Sequence, residues 1–333
     1  MTPQRFFVAA FSTLAALLAL PVAAQPSRLL VAQKGDASLG ILDPVTGKMV
    51  AAVAEGGYTG HEVIASPDGR FAYVPIYGSS GVGLPGTDGR KIVVIDLAAH
   101  KLAGSVEFDH GVRPHKPLFG PKDGLLYVST ELDKTITIID PRTLKIVGTI
   151  PTGQAESHMF ILSSDGRRGY TANVGPGTVS VLDIPGRRTL AIIPISKQTQ
   201  RIAITPDDRW VITADQTRPR LAAIDTRSNK IAHWVALQGI AYGTAPTLDG
   251  RYLVVTAPKE NNVAVVDLKT MQVVRTVATP ADPEEVLMRP GGKVAYVSCV
   301  ASHQIAEIDL NTWKVTRTFE DGKNSDGIAW AGR

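Results

Sequence analysis

The amino-acid sequence predicts an all-β protein, a seven-bladed β-propeller with four antiparallel strands per blade. Three observations predict it. First, a short, mostly apolar unit ending in Asp recurs seven times, at Asp43, Asp96, Asp140, Asp183, Asp225, Asp267 and Asp309, with spacings of 53, 44, 43, 42, 42 and 42 residues. A period near 42 is that of a propeller blade. Second, an Asp-Gly turn or a variant of it recurs at Asp68, Asp123, Asp165, Asp207, Asp249 and Gly291. Each lies between two runs rich in apolar and β-branched residues, the pattern of a hairpin. Third, helical periodicity is essentially absent after residue 24.

Each blade reads the same way along the chain. A short strand leads to the Asp-Gly turn. A second strand follows (FAYV, LLYV, RGYT, WVIT, YLVV, VAYV), then a third that ends at the Asp anchor. A turn such as DPRTLKIV or DLKTMQVV leads into the fourth. The anchors are expected to cap backbone N–H groups, as Asp does in turns. There are six Asp-Gly-type turns against seven anchors. The sequence RLLVAQ matches a second strand and SDGIAWAGR a first strand. The C-terminal strand is therefore expected to complete the N-terminal blade and leave no open edge in the ring.

Residues 1–24 read as a secretory signal peptide. They have Arg5 in the n-region, an apolar stretch from Val8 to Leu20, and small residues before Gln25. The propeller is expected over 25–333, exported to the periplasm or secreted, with no transmembrane segment after cleavage, and monomeric. The one cysteine, Cys299, cannot form an internal disulfide and is expected to be a buried apolar residue. The net charge is only +4, with no run of five like charges, so nucleic-acid binding has no electrostatic support.

The segments YVST (127–130), YTAN (170–173) and YVSC (296–299), each with the strand and turn that follow, resemble the YVTN-type seven-bladed propellers, and in particular their bacterial periplasmic members. The resemblance covers essentially all of 25–333. It implies the propeller fold. For function it implies several classes, because the wider superfamily includes ring-opening lactonases, lyases, haem-binding propeller domains of nitrite reductases, and proteins of no known activity.

First strands line a propeller's channel, so a site is sought at their starts. Counting back five residues from the end of each first strand gives His61, His115, His158, Gln200, Tyr242 and Glu284, with Ser325 and the adjoining Asp326 on the closing strand. Three adjacent blades give histidine. The excess spacing before Asp96 lies in a Gly-rich loop, Ile76 to Arg90, which is expected to cover the histidines and bring Tyr77 to them. The irregular segment GVRPHK sets Arg113 near the same mouth. Arg201 adjoins Gln200. Three imidazoles with Glu284 suit a transition metal such as zinc, copper or iron. Tyr77, Arg113, Gln200, Arg201, Tyr242 and Asp326 are the candidates for contact with a ligand.

The leading expectation is binding of a small ligand, metal ion or periplasmic protein partner at this mouth. One alternative is an enzyme using the same residues: a lactonase, a lyase, or a metal- or haem-dependent oxidoreductase. Another is a protein-interaction scaffold with an inert channel. A chain-attached c-type haem is excluded, because no CxxC occurs.

Overall fold

The computed structural model describes residues 26–58, 60–79 and 81–332. The segment read as a signal peptide lies outside them. Twenty-eight strands form seven four-stranded antiparallel sheets, and three short 3-10 turns are the only helical segments among the described residues. Blade I joins Ser325–Ala331 to Arg28–Gln33, Ser38–Leu42 and Met49–Ala54. Blades II to VII follow in chain order, with inner strands Ile64–Ala65, Pro114–Phe119, Ser157–Leu162, Thr199–Ile204, Thr244–Pro246 and Pro283–Met288. The closure is as expected, with Leu29 opposite Trp330 and Leu30 opposite Ala329.

The repeated residues build the repeated turns. Asp96 accepts the backbone N–H groups of Ala98 and Ala99, Asp267 those of Lys269 and Thr270, and Asp309 those of Asn311 and Thr312. In the other turn, Thr205, Thr247 or Ser163 donates to the Asp two residues on. Both patterns close a turn with a short polar side chain, which is why Asp recurs there.

The core lies between blades rather than in one central mass. Leu30, Ile41, Ala72, Val74 and Ile95 pack blade I on blade II, and Ile212, Leu221, Val255 and Val266 pack V on VI. Second and third strands are buried along most of their length, as in Leu126–Thr130 and Trp210–Asp215. Outer strands are mostly exposed, as in Lys145–Pro151. Cys299 is fully buried in the VI–VII layer, and burial pushes its thiol up to about 12.

Candidate functional site

Five inner strands carry the same irregularity. Strand pairing shifts register between Pro114 and Pro117, Ser157 and Met159, Gln200 and Ile202, Pro283 and Val286, and on the closing strand between Ser325 and Ile328. A bulge of this kind breaks the in-out alternation and lets two consecutive side chains serve the same face. A residue in left-handed conformation stands two positions before the first such side chain in four blades: Arg113, Glu156, Asp282 and Asn324. Each backbone of this kind costs about 1 kcal/mol or more in a non-glycine residue, so packing must hold it there.

The pairing also fixes the ring. Ser325 lies opposite Gln33, as Pro114 lies opposite Thr130 and Ser157 opposite Asn173. The residue equivalent to His115 on the closing strand is therefore Asp326, not Ser325. The mouth ring is His61, His115, His158, Gln200, Tyr242, Glu284 and Asp326.

The histidine half is closed around His115 and His158, which are buried, while His61 stays partly exposed at its edge. His115 and His158 stack with ring centroids 3.5 Å apart, and His61 meets His115 edge-on at 5.8 Å. Tyr77, 0% exposed, stacks on His61 at 4.8 Å and donates its hydroxyl to Glu131 Oε2 at 2.8 Å. The same oxygen meets His158 Nδ1 at 3.0 Å. The long hairpin that carries Tyr77 is tied down by Arg113, which donates to Asp88 Oδ1 (2.6 Å), the Leu84 carbonyl (2.8 Å) and the Gly81 carbonyl (3.3 Å). Burial holds His61 neutral, at about 4, and pushes His115 well below the usual imidazole range.

The other half stays open. Gln200, Tyr242, Glu284 and Lys34 are only partly covered. Gln200 Nε2 donates to the Tyr242 hydroxyl at 3.3 Å, and Lys34 Nζ donates to Asp326 Oδ2 at 3.2 Å. Burial, then the neighbouring Asp326 charge, pushes Glu284 up to about 7. Burial also opposes the Asp326 charge, but Lys34 and Arg201 overcome it and hold that carboxyl at about 2.

Beneath both halves runs a layer of ion pairs formed by residues that directly follow ring positions, Glu62, Lys116, Arg201 and Glu285, together with Asp326 of the ring. Arg201 Nη1 donates to Glu62 Oε1 and Glu285 Oε2, both at 2.7 Å, and Nη2 to Asp326 Oδ1 at 3.1 Å. Its guanidinium also lies 4.4 Å from the Tyr242 ring centroid. Lys116 Nζ donates to Glu62 Oε2 at 2.7 Å and lies 3.8 Å from Glu285 Oε1. Burial alone would drive the charge off Arg201; Tyr242, Glu285, Glu62 and Asp326 together hold it on. Blades VI and I place Gly243 and Gly327 in this layer. A Cβ on Gly243 would lie 2.1 Å from the Glu284 carbonyl oxygen, and one on Gly327 2.6 Å from that of His61.

A family model described as "Lactonase, 7-bladed beta-propeller" matches residues 43–235, more than half of the chain. The chain belongs to that family. This lactonase-family propeller is 29% identical over 160 residues to the seven-bladed beta-propeller protein Rv1057 of Mycobacterium tuberculosis (strain ATCC 25618 / H37Rv). That match covers 47% of the chain and 36% of the relative's length. Among solved structures, Kuenenia stuttgartiensis hydrazine synthase is similar with a TM-score of 0.69 and 20% identity, over 83% of this chain and 90% of that one. The dihydro-heme d1 dehydrogenase NirN, in complex with DHE, is similar with a TM-score of 0.67 and 16% identity, over 92% of this chain and 76% of that one. Likeness at these identities establishes the fold alone.

In this lactonase-family propeller the three histidines expected at the mouth do come together, under the expected loop. Their packing does not fit the expected metal set. The imidazoles present faces and edges to one another, and among the described residues no group of three or more His, Cys, Asp or Glu is placed to hold a metal ion. The charges that act most strongly on Glu284 are Asp326, Arg201, Lys34 and Asp282. Tyr77, Arg113 and Arg201, expected to contact a ligand, are instead internal ties. Gln200, Tyr242, His61 and Asp326 border the open half.

Sequence reasoning missed Glu62, Lys116 and Glu285, because strict alternation turns the residue after each ring position away from the channel. It also missed Lys34 and Glu131. Both stand directly after the second strand of their blades, the register of Tyr77. Extending the count from Tyr77 to blades I and III would have found them.

Proposed function

We propose that this exported propeller binds a small polar ligand at the open half of its mouth, between Lys34, His61, Gln200, Tyr242, Glu284 and Asp326. The observation that carries this reading is the pair Glu284 and Asp326. Two neighbouring carboxyl groups are held at about 7 and about 2 beside a lysine, with Glu284 partly open to solvent and Asp326 buried. Divergent ionisation of adjacent groups in a cleft marks a site with work to do. The histidine half is the wall of that site, and its rings stiffen it.

Family membership favours a second, sharper reading, hydrolysis of a cyclic ester. Glu284, near neutrality, accepts a proton from water as the oxygen adds to the ester carbonyl. The Lys34 ammonium faces the negative charge that forms on the carbonyl oxygen. The ring C–O bond then breaks, and the leaving alkoxide takes the proton back from Glu284. General-base help of this kind contributes about 10²–10⁴ in rate.

The experiment uses the mature protein with γ-butyrolactone, δ-valerolactone and their open hydroxy acids. Saturable binding lost in Glu284→Gln is expected, and proton release with the lactones alone selects the hydrolytic reading. Binding that survives both Glu284→Gln and Lys34→Met would remove the site from this half. Zinc, copper or iron retained in near-stoichiometric amount by the untagged protein, and lost in His115→Ala, would return the site to the histidines.

A further inference from the structure

The channel below the ion-pair layer is apolar. A cavity of about 360 Å³ runs from Lys116, Arg201 and Glu285 towards the face opposite the mouth. Its walls are the inner strands of blades III to VII, with Leu118, Met159, Ile161, Ile204, Leu287 and Met288 as the main apolar surfaces. Hydrophobic side chains there need explanation, because a water-filled channel is normally lined by polar ones. A cavity of this size, apolar with a few polar groups at one end, is the usual form of a small-molecule site. It has room for about a dozen water-sized groups.

The polar end defines the ligand's head. Counted together with Lys34 from the mouth above it, the ion-pair layer is charge-balanced: Glu62, Glu285 and Asp326 against Lys34, Lys116 and Arg201. A charged head would add an uncompensated buried charge, which is costly. Lys116 and Glu285 are the least buried members facing the cavity, with side chains 17% and 14% exposed and a separation of 3.8 Å. That is a loose pair. It offers one donor and one acceptor to a head that can use both.

We propose that this lower channel is a second binding site, distinct from the mouth, for an uncharged straight-chain amphiphile of about eight carbons whose single polar head both donates and accepts hydrogen bonds, such as a primary amide. The chain lies along the blade III–VII walls, and the head inserts between Lys116 Nζ and Glu285 Oε1.

Octanamide is the probe, with octane, octanoate and octylammonium as controls. The methionine methyl groups are the reporters. Met159 and Met288 line the cavity, whereas Met49 and Met271 do not. In methyl-labelled wild-type protein, octanamide is expected to shift Met159 and Met288 saturably and leave Met49 and Met271 in place, with a concentration-dependent rise in Tm. The two charged controls and octane are expected to bind at least about tenfold more weakly, the loss expected when a hydrogen bond to a charged group is missing. Lys116→Met should weaken octanamide by a similar factor, and Ala245→Phe, which fills the cavity, should abolish its binding. No shift at Met159 and Met288, or equal shifts at all four methionines, would overturn the site. Equal binding of octane would overturn the role assigned to Lys116 and Glu285.

Discussion

The two halves of the mouth are built from the same register positions and do opposite things. In blades II to IV the ring residues are histidines, packed face and edge against one another and against Tyr77. From blade V round to blade I they are Gln200, Tyr242, Glu284 and Asp326, partly open to solvent except for Asp326, with one carboxyl near neutrality. The difference lies less in the ring itself than in what lies over it. Blade II has an elongated hairpin, and blades V to VII have none. One insertion therefore turns half of a symmetric ring into structure and leaves the other half to meet ligands. Substitutions in the closed half should cost stability, and those in the open half should cost binding.

The largest effect is expected where the halves are joined. Arg201→Met strips three carboxylates of their shared partner and should lose about 3–5 kcal/mol, read from urea unfolding of the purified variant. A loss under about 1 kcal/mol would mean that the layer does not tie the halves together. Next is Tyr77→Phe, which removes the hydroxyl from the buried Glu131. It should cost about 1–3 kcal/mol while leaving ligand affinity at the open half unchanged. A changed affinity would break the division.

Glu284→Gln tests the converse. A carboxyl raised in the folded state favours the fold most below its unfolded value near 4.5, and that advantage is lost as pH rises through about 7. The Gln variant should gain about 1–3 kcal/mol over wild type at pH 8, show no gain at pH 4, and bind ligand poorly. Buried Asp321 and Glu55, also raised to about 7, share this sign, so the comparison must be of pH slopes and not of single points. An unchanged slope would sink the assignment. The smallest stability effect, under about 1 kcal/mol, belongs to replacing 81–86 by a two-residue turn. That change should nonetheless speed modification of His115 by an imidazole-directed reagent. An unaltered rate would show that the hairpin is not the cover.

The fold was legible because the Asp anchors and Asp-Gly turns repeat for a local reason: each satisfies its own backbone amides, so spacing alone reveals the blade. The mouth ring was legible for a related reason. The bulge recurs at the same place in most inner strands, so counting back a fixed five residues lands on equivalent positions. The count failed by one residue at Ser325, where Gly327 brings the closing strand against His61. The ion-pair layer was hidden because the bulge itself breaks the alternation on which strand reading depends. Which polar residues would be walls and which would face solvent was not legible at all. It depends on how the hairpin that carries Tyr77, tied down by Arg113 through Asp88, Leu84 and Gly81, sits over the histidines.

The closing strand has a further consequence, for the order of events in folding. Ser325–Ala331 pairs with Arg28–Gln33 across nearly the whole described chain, and the same strand delivers Asp326 to Arg201 and Lys34. Without that strand, Arg28–Gln33 keeps one unpaired edge, and Arg201 and Lys34 lack the carboxylate they share. Completing the circle and neutralising the site are then a single act, so a molecule that has not closed has no finished mouth to offer a ligand.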